Sequence, residues 1–347
     1  MSKKRLLTAG ILADVQYADA PDALDYNKKN LRRYRAAGES LKEACLHYTD
    51  TKNSNWVPSF YLQLGDLIDG RCKKPSICSS SKEKCMENML SHFENSKISK
   101  NSIIHCSGNH EFYNFDRVQL KNYLYSDKNL FKDTLAFVQE VSEKLVVMHV
   151  DTYDISMMSR EKTNSKTIQA KDILKQYHSD EDFNNVDKDL MKGLDCRFVG
   201  FTGMVGEEQL EWIDSKLTEF DEQGKLVIMC SHSQIHPSAS DYKPKVNLTW
   251  NWEEILSIVH KHKCVIMYAA GHAHSGGYFK DDKGIHHIVP KAIIENAGSI
   301  HGKVGEDFGN SFGYLDFYED YMELMVFGKQ SESWSDKIMK YPFDLKM

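Results

Sequence analysis

The sequence predicts a layered α/β protein, and three observations carry that expectation. Short apolar runs of strand length alternate with segments of helical period, several of those runs end on Asp, Asn or His, and the C-terminal part becomes strand-rich. Residues 6–14 (LLTAGILAD) read as a buried strand ending on a carboxylate, and residues 32–48 repeat apolar positions near helical spacing. Residues 59–66 (SFYLQLGD) give a second strand, 82–93 a helix, 102–110 (SIIHCSGNH) a third strand and 144–154 a fourth. After a polar stretch with a helix predicted over 167–178, the pattern resumes. It gives a strand at 197–203 (RFVGFTG), a helix at 206–220, a strand at 225–233, a helix at 252–262 and a strand at 264–274. The tail reads as antiparallel strands, separated by turns at Asp282, Lys283 and Gly284 and at Glu319 and Asp320.

Composition narrows the function classes. With 347 residues, 41% of them hydrophobic, the chain can bury a large core. Its 44 Lys+Arg against 50 Asp+Glu leave a net charge of -6, so there is no basic surplus to drive binding to nucleic acid or to an anionic membrane surface. At about 150 residues per domain the length suggests two domains, yet no Pro/Gly/Ser-rich linker divides it. We therefore expect one domain over residues 1–347, with a polar insertion at about 155–195 that reads as solvated. The basic N-terminus precedes an apolar run too short for a signal peptide, and no stretch of 18 apolar residues occurs. Eight scattered cysteines suit reduced thiols, so a cytoplasmic location is expected, and a monomer is the default. Cys72, Cys78 and Cys85 cluster, but their spacing matches no zinc signature.

Chemistry-bearing residues collect where strands are expected to end, the place at which layered α/β proteins bind ligands. Asp14 and Gln16, Asp66, Asn109 with His110, His232, and His272 with His274 each follow an apolar run. Singly, each has a plain structural reading: a cap, a turn residue or a hydrogen-bonded core histidine. Together, Asp14, Gln16, Asp66, Asn109, His232, His272 and His274 supply seven oxygen or imidazole ligands, enough for two metal ions that share a bridging carboxylate. Two other signals fade. Residues 297–303 (AGSIHGK) depart from a phosphate-binding loop at Ala297 and Val304, and Ser231 beside His232 makes no nucleophile and base pair, because strand neighbours face opposite ways.

The ordered segments DVQ, GDLID, GNHE, SHS and GHAH resemble the motifs of the calcineurin-like metallophosphoesterase family, with Gln16 standing where most members have His. Within that superfamily the chain is similar to the manganese-dependent ADP-ribose/CDP-alcohol diphosphatases. The similarity runs through ILADVQYAD (11–19), YLQLGDLIDG (61–70), GNHEFYNF (108–115), EEQLEWID (207–214) and AAGHAHSGGY (269–278). The resemblance implies a four-layer α/β/β/α sandwich with the active site at the C-terminal strand ends. It implies two divalent ions, Mn²⁺ preferred and Mg²⁺ possible, since a neutral amide in place of imidazole makes a harder site. One ion would be held by Asp14, Gln16, Asp66 and His274 and the other by Asp66, Asn109, His232 and His272. The two would activate a bridging water for attack on phosphorus.

The same resemblance casts His110 as the catalytic acid or electrostatic stabiliser and Asp69 and Glu111 as groups that orient ligand imidazoles. It casts Tyr26, Arg32 and Asn247 as substrate-binding residues for a base, a distal phosphate and a nucleoside pocket. Its implied reaction is hydrolysis of ADP-ribose to AMP and ribose 5-phosphate, or of CDP-alcohols such as CDP-choline to CMP and a phospho-alcohol. A cyclic-nucleotide phosphodiesterase or phosphomonoesterase on the same fold, or a non-catalytic scaffold, are the alternatives.

Overall fold

The computed structural model describes residues 5–50, 57–158, 160–297, 311–318, 321–327 and 338–342. The turn expected at Glu319 and Asp320, and residues 298–303 of the AGSIHGK segment, lie outside them.

Strands β1 (Leu7–Leu12), β2 (Phe60–Gln63) and β3 (Ile103–His105) are buried along their whole lengths, which is why they read as unbroken apolar runs. They are followed by β4 (Phe137–Glu140), β5 (Leu145–His149), β6 (Leu226–Cys230) and β7 (Val265–Ala269). The chain then adds β8 (Gly277–Lys280), β9 (His286–Val289), β10 (Phe312–Phe317), β11 (Tyr321–Phe327) and β12 (Ile338–Pro342). These form two six-stranded sheets, in the orders β12-β11-β10-β1-β2-β3 and β8-β9-β7-β6-β5-β4. Parallel neighbours β1, β2 and β3 sit in one, and parallel β5, β6, β7 and β9 in the other. The expected tail strands pair antiparallel, β10 onto β1 and β11 onto β10.

Alternation along the strands sorts the core into layers. Ile228, Cys230, Met267, Ala269 and Ile288 of the second sheet share one apolar cluster with Ala9, Ile11, Leu62 and Ile104 of the first, so the sheets face each other. The opposite face of the second sheet, with Val146, Met148, Val227 and Met229, packs on Ile213, Leu217, Ile255 and Val259 of helices at Glu207–Glu222 and Trp252–Val259. On the outer face of the first sheet lies helix Tyr34–Thr49, whose Ala37, Leu41, Ala44 and Tyr48 point inward and whose Tyr48 hydroxyl donates to the carbonyls of Ile11 and Gly313. Helix Lys82–Asn95 packs against it, opened by Ser81, whose Oγ accepts from the Lys84 amide at 3.2 Å. The expected α/β/β/α order is what these layers make. Among the described residues no helix is long and apolar enough to cross a membrane.

Three expectations are corrected. Residues 197–203 are not a sheet strand; a 3₁₀ turn at Gly193–Arg197 leads into loop, and only Gly203–Met204 form a short strand. The apolar side chains there serve a separate cluster, in which Phe198 stacks on Tyr177 at 3.8 Å beside Phe183, Met191, Val199 and Trp250. For the same reason the polar insertion is not merely solvated: it carries helix Ser165–Leu174, shorter than predicted, with Ala170 and Leu174 buried in that cluster. Strand β4 and helix Arg117–Leu124 are further elements that the reading did not anticipate.

The helix at Arg117–Leu124 is fixed by a buried ion pair. Asp151, just past β5, accepts from Arg117 at 2.5 Å and also from the amides of Leu135 and Tyr153. Burial alone would raise the Asp151 pKa, but Arg117 outweighs it and holds the carboxyl down at about 2. A carboxyl whose folded pKa is depressed contributes stability above its unfolded value and loses it as pH falls through the folded value. Asp151→Asn should therefore cost about 3 kcal/mol in urea unfolding at neutral pH. The gap to the wild-type chain should narrow between about pH 4 and pH 2.

Candidate active site

The expected ligands lie two to five residues beyond strands of the parallel core: Asp14 and Gln16 after β1, Asp66 after β2, Asn109 after β3, His232 after β6 and His272 and His274 after β7. The two sheets are stitched together at this edge. Asp14 accepts from the His272 amide at 2.9 Å, the Gly271 amide donates to the His232 carbonyl, and Nδ1 of His232 donates to the Leu64 carbonyl at 2.7 Å. That last bond leaves Nε2 of His232 as the free ring nitrogen, 3.3 Å from Asp66 Oδ2 and 3.2 Å from Nδ1 of His272. The Gln16 amide reaches the same point, its Nε2 lying 3.0 Å from Asp66 Oδ2 and 3.0 Å from Nε2 of His274. On the far side His274 Nε2 lies 3.5 Å from Asp14 Oδ1. Asp66 thus sits between two groups of donors, with Asn109 at the mouth of β3.

Backbone conformation is part of this arrangement. Asp14, Gln16, Asp66 and His272 all adopt positive φ, of 51°, 46°, 54° and 66°. Such conformations cost non-glycine residues about 1–3 kcal/mol each and persist where surrounding contacts over-determine them. Two glycines make the approach possible. Gly65 has φ +96° and a Cβ there would overlap the His232 ring, while a Cβ on Gly108 would overlap Asp66 Oδ1 and come within 2.6 Å of His232 Nε2.

The donor set fits divalent metal ions. Ligand atoms of Asp66, His232 and His272 lie within 4.8 Å of one another, all buried. Oε1 of Gln16, Oδ1 of Asn109 and Nε2 of His272 are buried without a hydrogen-bond partner, although buried polar atoms are nearly always satisfied. Two of these, Oε1 of Gln16 and Oδ1 of Asn109, are atoms of the expected ligand set, which His272 faces through Nδ1. The pocket's carboxylates also favour positive charge. Against the opposing effect of burial, Asp66 raises the pKa of His232 to about 9, and Glu295 raises that of His274 to about 9.

His110 belongs to the same edge without pointing its ring into the donor set. Its amide donates to Asp66 Oδ1 at 2.9 Å, its Nδ1 lies 3.0 Å from Asp69 Oδ2, and its Nε2 stands 3.9 Å from Asp66 Oδ2. Asp69 therefore orients His110, not a ligand imidazole. Glu111 corrects the expectation more fully: it touches no imidazole and instead accepts the amides of Asp66, Leu67 and Gly108. The left-handed turn at Asp66 leaves those amides without strand partners, and one buried carboxylate collects them.

The three substrate-binding candidates lie in different settings. Arg32 reaches the donors through Glu295, its buried Nε without a hydrogen bond and 3.8 Å from Glu295 Oε1. Tyr26 is 84% exposed and donates to Asn185 of the insertion at 2.7 Å. Asn247 is buried and gives its amide to the His272 carbonyl at 2.5 Å, so it braces a ligand segment. Sequence reasoning missed Glu295, which accepts from Nδ1 of His274 at 2.6 Å and so turns Nε2 toward Asp14. It also missed Phe201, whose ring meets that of His272 edge-on at 5.9 Å. Neither stands in a motif, and only the folding of distant segments brings them here.

A two-sheet sandwich with buried carboxylate, amide and imidazole donors gathered at its carboxyl edge is the framework of a dimetal phosphoesterase. The chain belongs to the calcineurin-like phosphoesterase family, whose model matches residues 9–276. It is 34% identical to the manganese-dependent ADP-ribose/CDP-alcohol diphosphatase of Xenopus tropicalis, over 93% of each chain. It is 32% identical to the Arabidopsis thaliana protein of the same name, over 93% of this chain and 95% of that one. A solved dimetal phosphatase from Danio rerio superposes with a TM-score of 0.83 at 28% identity, covering 98% of this chain and all of the other.

Because the Gly108 position is closed by Asp66 and His232 themselves, Gly108→Ala should bind Mn²⁺ at least about tenfold more weakly in isothermal titration. Its far-ultraviolet circular dichroism should be unchanged.

Proposed function

We propose that this protein hydrolyses the diphosphate linkage of nucleoside diphosphate compounds, ADP-ribose and CDP-alcohols among them, releasing a nucleoside monophosphate and a second phosphorylated product. The observation that carries the reading is the gathering of buried ligand atoms of Asp66, His232 and His272 within 4.8 Å of one another, with the Gln16 amide against Asp66. The names of the relatives support the substrate class and the dependence on manganese. The ligands would be Asp14, Gln16, Asp66 and His274 for one ion and Asp66, Asn109, His232 and His272 for the other, with the whole of residues 1–347 forming one unit around them. When bound, two divalent ions supply Lewis acidity and a water of lowered pKa.

The protein's own groups do the rest. The seven ligands include only the carboxylates of Asp14 and Asp66, so the loaded site would keep positive charge for an anionic phosphate. Arg32, whose Nε makes no hydrogen bond, would meet the second phosphate. His110, held by Asp69 and facing the mouth of the site, would donate to or stabilise the leaving oxygen. A leaving phosphate is stable by itself. His110→Ala should therefore slow ADP-ribose turnover by about 10²-fold and should lower turnover of esters with poorer leaving groups more steeply. Tyr26, exposed and held by Asn185, would stack on a base.

The functional test uses the metal-stripped chain with ADP-ribose, CDP-choline, cyclic AMP and p-nitrophenyl phosphate, each with Mn²⁺ or Mg²⁺ restored. AMP and CMP should form only with metal and fastest with Mn²⁺. Turnover confined to cyclic AMP or p-nitrophenyl phosphate would contradict the substrate class, and no turnover on any of the four would contradict the enzyme assignment.

A further inference from the structure

Immediately after the segment that carries Asp66 and Asp69, the chain passes through Arg71-Cys72-Lys73-Lys74 and returns through Cys78 to helix Lys82–Asn95, which contains Cys85. The three cysteines have no regular spacing, yet the fold gathers their sulfurs. All three Sγ atoms lie within 4.8 Å of one another, and those of Cys78 and Cys85 are 3.7 Å apart. Each residue is at most 3% exposed, and each thiol is free. A tetrahedral ion with bonds of about 2.3 Å to sulfur separates its thiolates by about 3.8 Å, so the observed spacing is that of two ligands of one zinc ion. A disulfide would need a sulfur separation of about 2.05 Å and would leave the third buried thiol unexplained.

We propose that Cys72, Cys78 and Cys85 form a trithiolate site for one Zn²⁺ ion, separate from the dimetal centre, with water completing the tetrahedron. Among the described residues no His, Cys, Asp or Glu atom joins the three sulfurs as a fourth ligand. The backbone around the sulfurs fits thiolate ligation. The backbone amide of Asp19 faces the sulfurs of both Cys78 and Cys85, and that of Ser80 faces Cys78, the outer hydrogen bonds that thiolates accept.

Loading releases the three thiol protons, with no change of oxidation state. The ion would tie residues 72–85 into one piece. Cys72 bonds through its amide to the Asp69 carbonyl at 3.1 Å, so the clasp would brace the loop that holds His110, while the bond that the Cys72 thiol donates to the Tyr17 carbonyl would be given up with its proton.

The test is cobalt substitution of the full-length reduced chain. None of the seven dimetal ligands is a sulfur, so a thiolate-to-cobalt charge-transfer band in the near ultraviolet reports only the cysteine site. The wild-type chain should show this band, reaching the intensity of one thiolate-bound Co²⁺ by three equivalents in total and abolished by Zn²⁺. Cys78→Ser should weaken zinc retention by at least about 100-fold, whereas Cys264→Ser, in a different apolar cluster, should retain both band and zinc. The absence of a charge-transfer band in the wild-type chain would overturn the proposal whatever the folding of the variants. A Cys78–Cys85 disulfide found by mass spectrometry in protein purified under reducing conditions would overturn it as well.

Discussion

The buried carboxylate of Asp66 is the group around which this molecule is arranged. It leaves β2 in a left-handed turn, accepts the His110 amide on one oxygen, and presents the other to Gln16 and His232. That position is possible only because Gly65 and Gly108 leave room for the His232 ring and for Asp66 itself, and because Glu111 satisfies the amides that the turn exposes. Burial and the neighbouring Asp66 push the Glu111 pKa up to about 7, which shows how strongly the two carboxylates oppose each other in this space. Positive charge between the sheets relieves that opposition, whether it is carried by imidazolium or by metal.

The sheets supply rigidity where the chemistry needs it. Parallel strands β1, β2 and β3 deliver donors from one sheet and β6 and β7 from the other, so the donor set closes only when both sheets pack through Ile11, Leu62, Ile228 and Met267. The strained residues sit at this seam. Positive φ at Asp14, Gln16, Asp66 and His272 is held by cross-sheet bonds such as that from the His272 amide to Asp14, so fold stability and site geometry are one constraint. The insertion belongs to the same edge. Its own apolar cluster positions the segment from which Phe201 meets the His272 ring, and Asn185 meets Tyr26.

Much of this was legible in the sequence because strands buried on both faces leave continuous apolar runs, and because each motif follows its strand directly. The alternation of strands with helices and the gathering of Asp14, Gln16, Asp66, His232, His272 and His274 could be read that way, whereas the order of the four layers came from the resemblance to the family. Residues 197–203 misled because Phe198 and Val199 are apolar for a local cluster rather than for a sheet, and composition does not distinguish the two. Glu111 was placed by its motif but not by its partners, since backbone amides freed by a left-handed turn leave no mark in sequence. Glu295 left no mark in the sequence, and the clustering of Cys72, Cys78 and Cys85 was visible without a recognisable spacing, because in both cases tertiary packing across irregular intervals sets the partners.

The central claim is that Asp66 joins two metal sites, and manganese electron paramagnetic resonance tests it most directly. Titrating the metal-free chain with Mn²⁺ should give a spectrum of two exchange-coupled ions at two equivalents, and Asp66→Asn should abolish the coupling. A single uncoupled ion at saturation in the wild-type chain would contradict the account.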